Sequence, residues 1–198
     1  MFLLELYHRA LEAQGSVDIR VACLQAMQYV YAQHADIVGE FMYSQHVAAM
    51  LTTARAERHA VLQLLLTLAT NYQNVQQLLG TDLLTTLVGL LNKFVISSAD
   101  SAEVSGAEAL TAVTLLHRIA AATAGVRDGV VVSPMPRAKA LLSHSQFFTV
   151  IIQALLCDDV QVMFGVIKLL DVLIDHNDVV LPSLSQTGMR HCVSDVLT

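Results

Sequence analysis

The stretch that decides the fold is residues 60–91, AVLQLLLTLATNYQNVQQLLGTDLLTTLVGLL. In a helix built from residues 60–70, the large apolar side chains would point in all directions: Val61, Leu62, Leu64, Leu65, Leu66 and Leu68. A helix that is apolar on every side must be covered by neighbours on most of them. We therefore predict a central helix buried among other helices. A charged residue at Leu65, or at Ile167 in a later apolar helical run, should unfold the chain, because an unpaired buried charge is strongly destabilising.

The second half of the same stretch predicts two more helices. Asn71 and Asn74 interrupt the apolar run, and the short apolar segment that follows them stops at Gly80. Thr81 or Asp82 can then cap a further helix. The apolar stripe of that helix is Leu83, Leu84, Leu87, Val88 and Leu91. Helices joined in this way, each with an apolar face, bury those faces only by stacking against neighbouring units.

A similar pattern occurs elsewhere in the chain. Residues 29–41 (YVYAQHADIVGEF), 67–79 (TLATNYQNVQQLL) and 171–184 (DVLIDHNDVVLPSL) share their spacing of apolar positions, and the first two are 38 residues apart. That offset is close to the ~40–47-residue period of HEAT and armadillo repeats. The sequence thus predicts an all-α fold, an armadillo- or HEAT-like α-solenoid of about four stacked helical repeats.

We predict that residues 1–198 form a single α-solenoid segment. Residues 96–106 (ISSADSAEVSG) are rich in Ser, Asp and Gly and are typical of an exposed loop. Residues 125–136, with prolines at their end, are typical of an extended connector. Both ends of the chain fall inside apolar helical patterns, whereas solenoids are closed by polar capping repeats. We therefore expect this to be a segment of a longer chain.

Composition excludes several functional classes. The chain is 55% apolar and only 14% charged, the reverse of a disordered segment. Its net charge of −6 argues against nucleic acid as a partner, since binding phosphates requires a basic field. No apolar run approaches the ~20 residues that span a bilayer, and the N-terminus lacks the features of a signal peptide. Cys23, Cys157 and Cys192 are widely spaced, which indicates free thiols in a reducing compartment.

The search for catalytic and metal-binding motifs is negative. The sequence has no Gly-rich phosphate loop, no Gly-x-Ser-x-Gly elbow and no Cys-x-x-Cys pair. None of its histidines is spaced to share a zinc ion on one helix face. Glu57 and Arg58, which precede the central helix, are interpreted as its solvated first turn. We therefore expect a protein that is not an enzyme and that has no cofactor.

Three segments resemble a known family. They are residues 17–41 (VDIRVACLQAMQYVYAQHADIVGEF), residues 74–91 (NVQQLLGTDLLTTLVGLL) and residues 133–177, which begin SPMPRAKALLSHSQFF. All three are similar to the armadillo-like region of the large endosomal J-domain proteins. This is the family of receptor-mediated endocytosis protein eight, also called DnaJ homologue subfamily C member thirteen. The positions that match its Pro-x-Pro segment are Pro134, Pro136, Arg137, Lys139, Leu141, Leu142 and Ser143.

The resemblance implies a scaffold in endocytosis and endosomal sorting, cytoplasmic and peripheral on endosomes. Its implied partners are sorting nexins and actin-nucleation regulators, with Hsp70 engaged by a J-domain outside this segment and the membrane contacted by other parts of the parent chain. The sequence departs from the family in two ways. It has no tryptophan-containing GYF-like insert, and it has no His-Pro-Asp triplet with which a J-domain stimulates Hsp70.

Helical-repeat proteins bind partners in a groove lined by their inner helices. Candidate groove residues are Gln63 and Lys168 on two apolar helices, with Asn71 and Asn74 at the end of the central helix. Asn71 is better explained as a stop at the C-terminal end of the central helix. A basic cluster of Arg137 and Lys139 suits an acidic peptide or lipid headgroup, or is simply a solvated helix end. A generic armadillo or HEAT adaptor outside the endosomal family, and a spacer without partners, remain as alternatives.

Overall fold

The structure, a computed structural model, describes residues 2–13, 16–38, 40–53, 55–96, 103–122, 126–127, 130–131 and 135–174. These residues form ten α-helices, so the predicted helical fold class is confirmed. In chain order the helices are α1 (Phe2–Glu12), α2 (Val17–Val38), α3 (Ser44–Thr53), α4 (Arg58–Leu68), α5 (Tyr72–Leu79), α6 (Leu83–Ile96), α7 (Gly106–Ala121), α8 (Met135–Leu142), α9 (Ser145–Gln153) and α10 (Val160–Ile174). Single 3₁₀ turns, Arg55–Glu57 and Ala154–Leu156, precede α4 and follow α9.

The turns within residues 60–91 form where the sequence places them. The Asn71 side chain caps α5 by accepting hydrogen bonds from the backbone N–H groups of Gln73 (2.8 Å) and Asn74 (3.4 Å). Gly80 follows the last turn of α5. The Thr81 hydroxyl then accepts a hydrogen bond from the N–H of Leu83 at the start of α6. These caps satisfy backbone groups that a helix end would otherwise leave unpaired.

Two later helices are also capped by side chains. Ser105 and Glu108 form a capping box at the start of α7, each side chain bonding the other residue's backbone N–H. The Asp159 carboxylate accepts hydrogen bonds from Gln161 and Val162 at the start of α10. Ser-x-x-Glu before an apolar run is the sequence signature of the capping box at the start of α7.

The two irregular segments are only partly described. In 96–106, Ile96 ends α6, Val104 is fully buried and Gly106 begins α7, so the described part of this predicted exposed loop includes a core contact. In 125–136, two antiparallel strands, β1 (Val126–Arg127) and β2 (Val130–Val131), pair with Val126 opposite Val131. The helix α8 begins at Met135, inside the predicted connector.

The helices pack in two series. In the first, α2 packs against α4, α4 against α7, and α7 against α10, while in the second α3 packs against α6 and α6 against α9. Gly165 permits α10 to approach α7 closely, because a Cβ atom there would lie only 3.1 Å from Val113 Cγ1 on α7. The contacts within and between the two series enclose one main hydrophobic core.

The central helix α4 lies in the middle of this core. Val61, Leu62, Leu64, Leu65 and Leu68 have no exposed surface, which confirms the prediction of a helix covered on most sides. No single described helix is long and apolar enough to cross a bilayer. Taken together, the consecutive helices α5 and α6 are apolar enough to resemble a bent membrane span. Their apolar side chains are buried in the core, which explains this composition.

The prediction that Ile167 is buried is wrong. Its side chain is 45% exposed, on the side of α10 opposite the buried positions. The stripe that α10 buries is Val162, Val166, Leu169 and Leu173. Because α10 is apolar on both sides, the sequence pattern does not distinguish the side that faces α7 from the side that does not.

The interpretation of Glu57 and Arg58 as a solvated turn is also wrong. Glu57 is 3% exposed and Arg58 is 6% exposed. The Nε atom of Arg20 on α2 lies 2.5 Å from Glu57 Oε1, and Arg58 Nη1 lies 3.7 Å from Glu108 Oε1 on α7. Arg58 also donates a hydrogen bond to the backbone oxygen of Glu103. The first turns of α2, α4 and α7 therefore meet side by side, and their charged groups pair with one another.

Buried and exposed apolar positions should respond differently to the same substitution. We expect Leu65→Asp to abolish cooperative unfolding, because it places an unpaired charge in the core at a cost of several kcal/mol. Ile167→Asp should retain a cooperative transition and lose less than about 1 kcal/mol. Thermal unfolding followed by circular dichroism checks both expectations. A cooperative transition in Leu65→Asp would contradict the burial of α4.

The Arg20–Glu57 pair should contribute far more to stability than an exposed pair. We expect Glu57→Ala to lower the free energy of unfolding by about 3–5 kcal/mol, because it leaves a buried guanidinium without this carboxylate. Glu5→Ala breaks the Arg9–Glu5 pair, whose side chains are 74% and 58% exposed. That control should change stability by less than about 0.5 kcal/mol. Urea denaturation of both variants gives the comparison, and equal small losses would mean that the buried pair is dispensable.

Candidate protein-binding groove

A groove runs along the surface of α7, between α4 on one side and α10 on the other. It consists of two adjoining clefts that share Thr114 and His117. The cleft between α7 and α10 has a volume of about 460 Å³, and the cleft between α7 and the α4–α5 turn about 510 Å³. We call the two clefts together the α7 groove. Its position follows from the first series of helices, which leaves one side of α7 open between its two neighbours.

The cleft next to α10 has an apolar lining with a cation above it. Leu110, Val160 and Phe164 line it, and Phe164 is 57% exposed. The Lys168 ammonium lies 4.5 Å from the centre of the Phe164 ring, within the range of a cation–π contact. Phe164 and Lys168 are four residues apart, so both stand on the same face of the helix. This part of the α7 groove therefore offers an aromatic surface beside a positive charge.

The cleft next to α4 adds further basic groups. Arg118 donates a hydrogen bond from Nη1 to the Leu66 backbone oxygen at 2.6 Å, which ties α7 to α4. Burial, and then the charges of Lys168 and Arg118, lower the pKa of His117, while Asp171 acts weakly in the opposite direction. The imidazole of His117 is therefore held toward its neutral form, first by burial and then by the cations beside it.

The structure places the predicted groove residues at different depths. Lys168 lines the α7 groove. Gln63 is half-buried between α4 and α7, where its amide nitrogen donates to the Thr111 hydroxyl at 3.2 Å. Asn71 serves as the cap of α5, close to the rim formed by Thr70 and Tyr72. Only Lys168 of these three thus presents its side chain directly to the groove.

Asn74, another predicted groove residue, is fully buried. Its side-chain oxygen accepts a hydrogen bond from the Phe41 N–H at 2.8 Å. Its amide nitrogen donates to the Tyr31 hydroxyl (2.7 Å) and to the Leu68 backbone oxygen (3.0 Å). Asn74 therefore joins α2, α4, α5 and the turn before α3, and its side chain is directed into the protein rather than toward a partner.

Lys139, one of the two residues of the predicted basic cluster, does not line the α7 groove. Lys139 on α8 is buried, with 6% of its surface exposed. The side chain of Arg137 lies outside the described part of the chain. Sequence reasoning missed Phe164 and His117 as groove residues. Phe164 could have been found from the sequence, because it lies four residues before Lys168. His117 is distinguished only by its neighbours in the folded chain.

A pair of histidines that does not line the α7 groove joins α1 to α3. The Nε2 atoms of His8 and His46 lie 2.8 Å apart, a hydrogen bond in which one ring donates and the other accepts. Partial burial, and then the charge of His8, lower the pKa of His46. Within the described residues, no three His, Cys, Asp or Glu side chains are grouped to hold a metal ion.

Comparisons with family models, with curated proteins and with solved structures find no match to this chain.

The His8–His46 pair should make the fold sensitive to weak acid. The pKa of His46 is lower in the folded chain than in the unfolded chain, so the unfolded state binds more protons just below the ordinary histidine pKa. We expect the free energy of unfolding to be constant above about pH 7 and to fall as the pH is lowered through about 6.5. His117, whose pKa is also lowered, contributes in the same direction.

Urea denaturation across this pH range measures the effect. His46→Gln should flatten the pH dependence, because it removes one of the two lowered groups. His59→Gln, which changes an exposed histidine on α4, is the matched control and should leave the slope unchanged. Identical slopes in His46→Gln and the parent chain would show that the pKa of His46 is not lowered on folding.

Proposed function

We propose that residues 1–198 act as a non-enzymatic scaffold that binds protein partners through the α7 groove. The observation that carries this proposal is the groove itself: an open surface along three successive helices that combines an exposed aromatic ring with basic side chains. Exposed aromatic side chains beside cations are typical of protein-binding surfaces. The absence of catalytic motifs in the sequence supports a role in binding rather than in chemistry.

The proposal includes an armadillo- or HEAT-like α-solenoid of about four repeats. Its support is a recurring order of helix lengths, from shortest to longest: α5, α6 and α7 have 8, 14 and 16 residues, and α8, α9 and α10 have 8, 9 and 15. Corresponding members of the two groups also pack against each other, α6 on α9 and α7 on α10. Stacking of equivalent helices is how a solenoid buries its core.

The cellular setting that we propose follows from the resemblance to the endosomal J-domain family. On that basis the chain is a segment of a DnaJ-type co-chaperone that works in endocytic trafficking and endosomal sorting, in the cytoplasm and peripheral to endosomes. Sorting nexins and actin-nucleation regulators are the proposed partners. Hsp70 and the membrane would be engaged by other parts of the parent chain.

A generic armadillo or HEAT adaptor, unrelated to endosomes, is the second candidate. The observation that favours it is that the α7 groove is built by residues that lie outside the most specific part of the resemblance, residues 18–27 and the Pro-x-Pro segment. The identity of the captured partners separates the two candidates.

An affinity capture from cytosol with residues 1–198, read out by mass spectrometry, tests this function. Leu65→Asp is the unfolded control, since its buried charge removes the core. Recovery of sorting nexins or actin-nucleation regulators by the parent chain alone is the expected result. An unrelated set of proteins, lost in the control, would replace the endosomal assignment by the generic adaptor. No difference between the two baits would contradict a scaffold function and favour a spacer.

A further inference from the structure

We propose that the α7 groove binds an acidic segment of a partner protein. The partner's carboxylates lie between Lys168, His117 and Arg118, and an apolar side chain next to them fills the cleft against Phe164. The inference rests on the proposed scaffold function and names the chemical class of its partner.

Charge is the first observation behind this assignment. The chain as a whole is acidic, with 17 Asp and Glu against 11 Lys and Arg. The described residues that line the two clefts nevertheless include Lys168, Arg118 and His117, and no Asp or Glu. A locally basic groove on an acidic protein selects negatively charged partners and repels positively charged ones.

The charges act together rather than singly. Lys168 on α10 and Arg118 on α7 both influence His117, so the three groups surround the same part of the groove. Asp171, one turn beyond Lys168, is the acidic group that faces His117, and its influence is the smallest of the three. Arg118 uses Nη1 on the Leu66 oxygen, but a guanidinium carries five N–H donors. A carboxylate placed here would thus meet two permanent cations and one group that can become a third.

The apolar lining adds a second requirement. Leu110 and Val160 form one cleft with Phe164, and Gly165 at its base keeps the helices α7 and α10 close together. The cleft is large enough for a single side chain of medium or large size, at about 460 Å³. Burying such a side chain contributes binding energy, and the surrounding charges orient the bound segment. A partner segment with acidic residues next to Phe, Leu or Ile meets both requirements.

A peptide suits this groove better than an anionic membrane does. Polybasic segments that attach proteins to acidic lipids use clusters of about 4–8 Lys or Arg. The described lining of the groove has two, which is too few for attachment to a membrane, and an extended chain or one helix can lie along its clefts between the helices.

Binding should be coupled to protonation of His117. A bound carboxylate favours the charged form of the imidazole, which the free groove disfavours because the ring is partly buried and because Lys168 and Arg118 are close. The titratable and charged groups that face His117 are Lys168 and Asp171 on α10 and Arg118 on α7, with Tyr72 of α5 across the second cleft. Partner carboxylates stay ionised well below pH 6, so a gain in affinity near that pH comes from protonation of the His117 imidazole.

The test is a selection of random linear peptides on immobilised residues 1–198, followed by titration of synthetic peptides. We expect enrichment of Asp and Glu next to Phe, Leu or Ile. A selected peptide should lose about tenfold in affinity when its Asp and Glu are replaced by Asn and Gln. The same loss is expected in Lys168→Glu and in Phe164→Ala. Affinity should rise about threefold from pH 7.5 to pH 6, and His117→Gln should abolish that rise.

Matched controls separate groove effects from general ones. Arg9→Glu makes the same change of net charge on α1, and Phe2→Ala removes a Phe that is 73% exposed. Both should bind the peptide as the parent chain does. Enrichment of neutral or basic peptides, an empty selection, or equal losses in the controls overturns the proposal. So does binding to phosphatidylserine vesicles that depends on Lys168 when no peptide binds.

Failure of the acidic-peptide proposal can be distinguished from failure of the scaffold function. If affinity capture recovers partners that Lys168→Glu retains and Leu65→Asp loses, the scaffold function stands and the acidic-peptide proposal is wrong. If capture recovers no partner and the acidic peptides still bind the groove with the stated dependence, the groove assignment stands and the scaffold function fails.

Discussion

The structure depends on one constraint, that the helix α4 is apolar around most of its circumference. Other helices must therefore cover it in several directions. The packing of α2, α3 and α7 against α4 meets this requirement. Leu62, Leu64 and Leu65 are consequently without exposed surface. The two series of helices are extensions of this arrangement, since each helix that covers α4 has an apolar side of its own to bury.

Polar groups inside the packed helices determine how the helices align. Asn74 forms hydrogen bonds with three other segments, and the Arg20–Glu57 pair joins the first turn of α2 to the residue before α4. Tyr7 of α1 lies near that pair, and burial, followed by the charge of Glu57, raises its pKa. Hydrophobic contacts alone tolerate sliding of one helix along another. Buried polar groups do not, because each one loses its partner when the register changes.

The α7 groove is a consequence of the same packing. A series of helices that touch along their sides leaves shallow clefts between neighbours, and the chemistry of each cleft depends on which side chains the series brings together. Here Phe164 and Lys168 from α10 meet His117 and Arg118 from α7. The basic character of the groove is therefore a property of the pair of helices, in a chain whose overall charge is negative.

The sequence by itself determined the helical class, the turns around residues 60–91 and the burial of α4, because these depend on short-range periodicity and capping. It also pointed to Lys168, which lines the α7 groove. Only the tertiary structure decided that Asn74, Glu57 and Arg58 are buried and that Ile167 is exposed. The physical reason is the same in each case. Whether a polar side chain is solvated, or an apolar one covered, depends on partners that are distant in the chain, and local pattern carries no information about them.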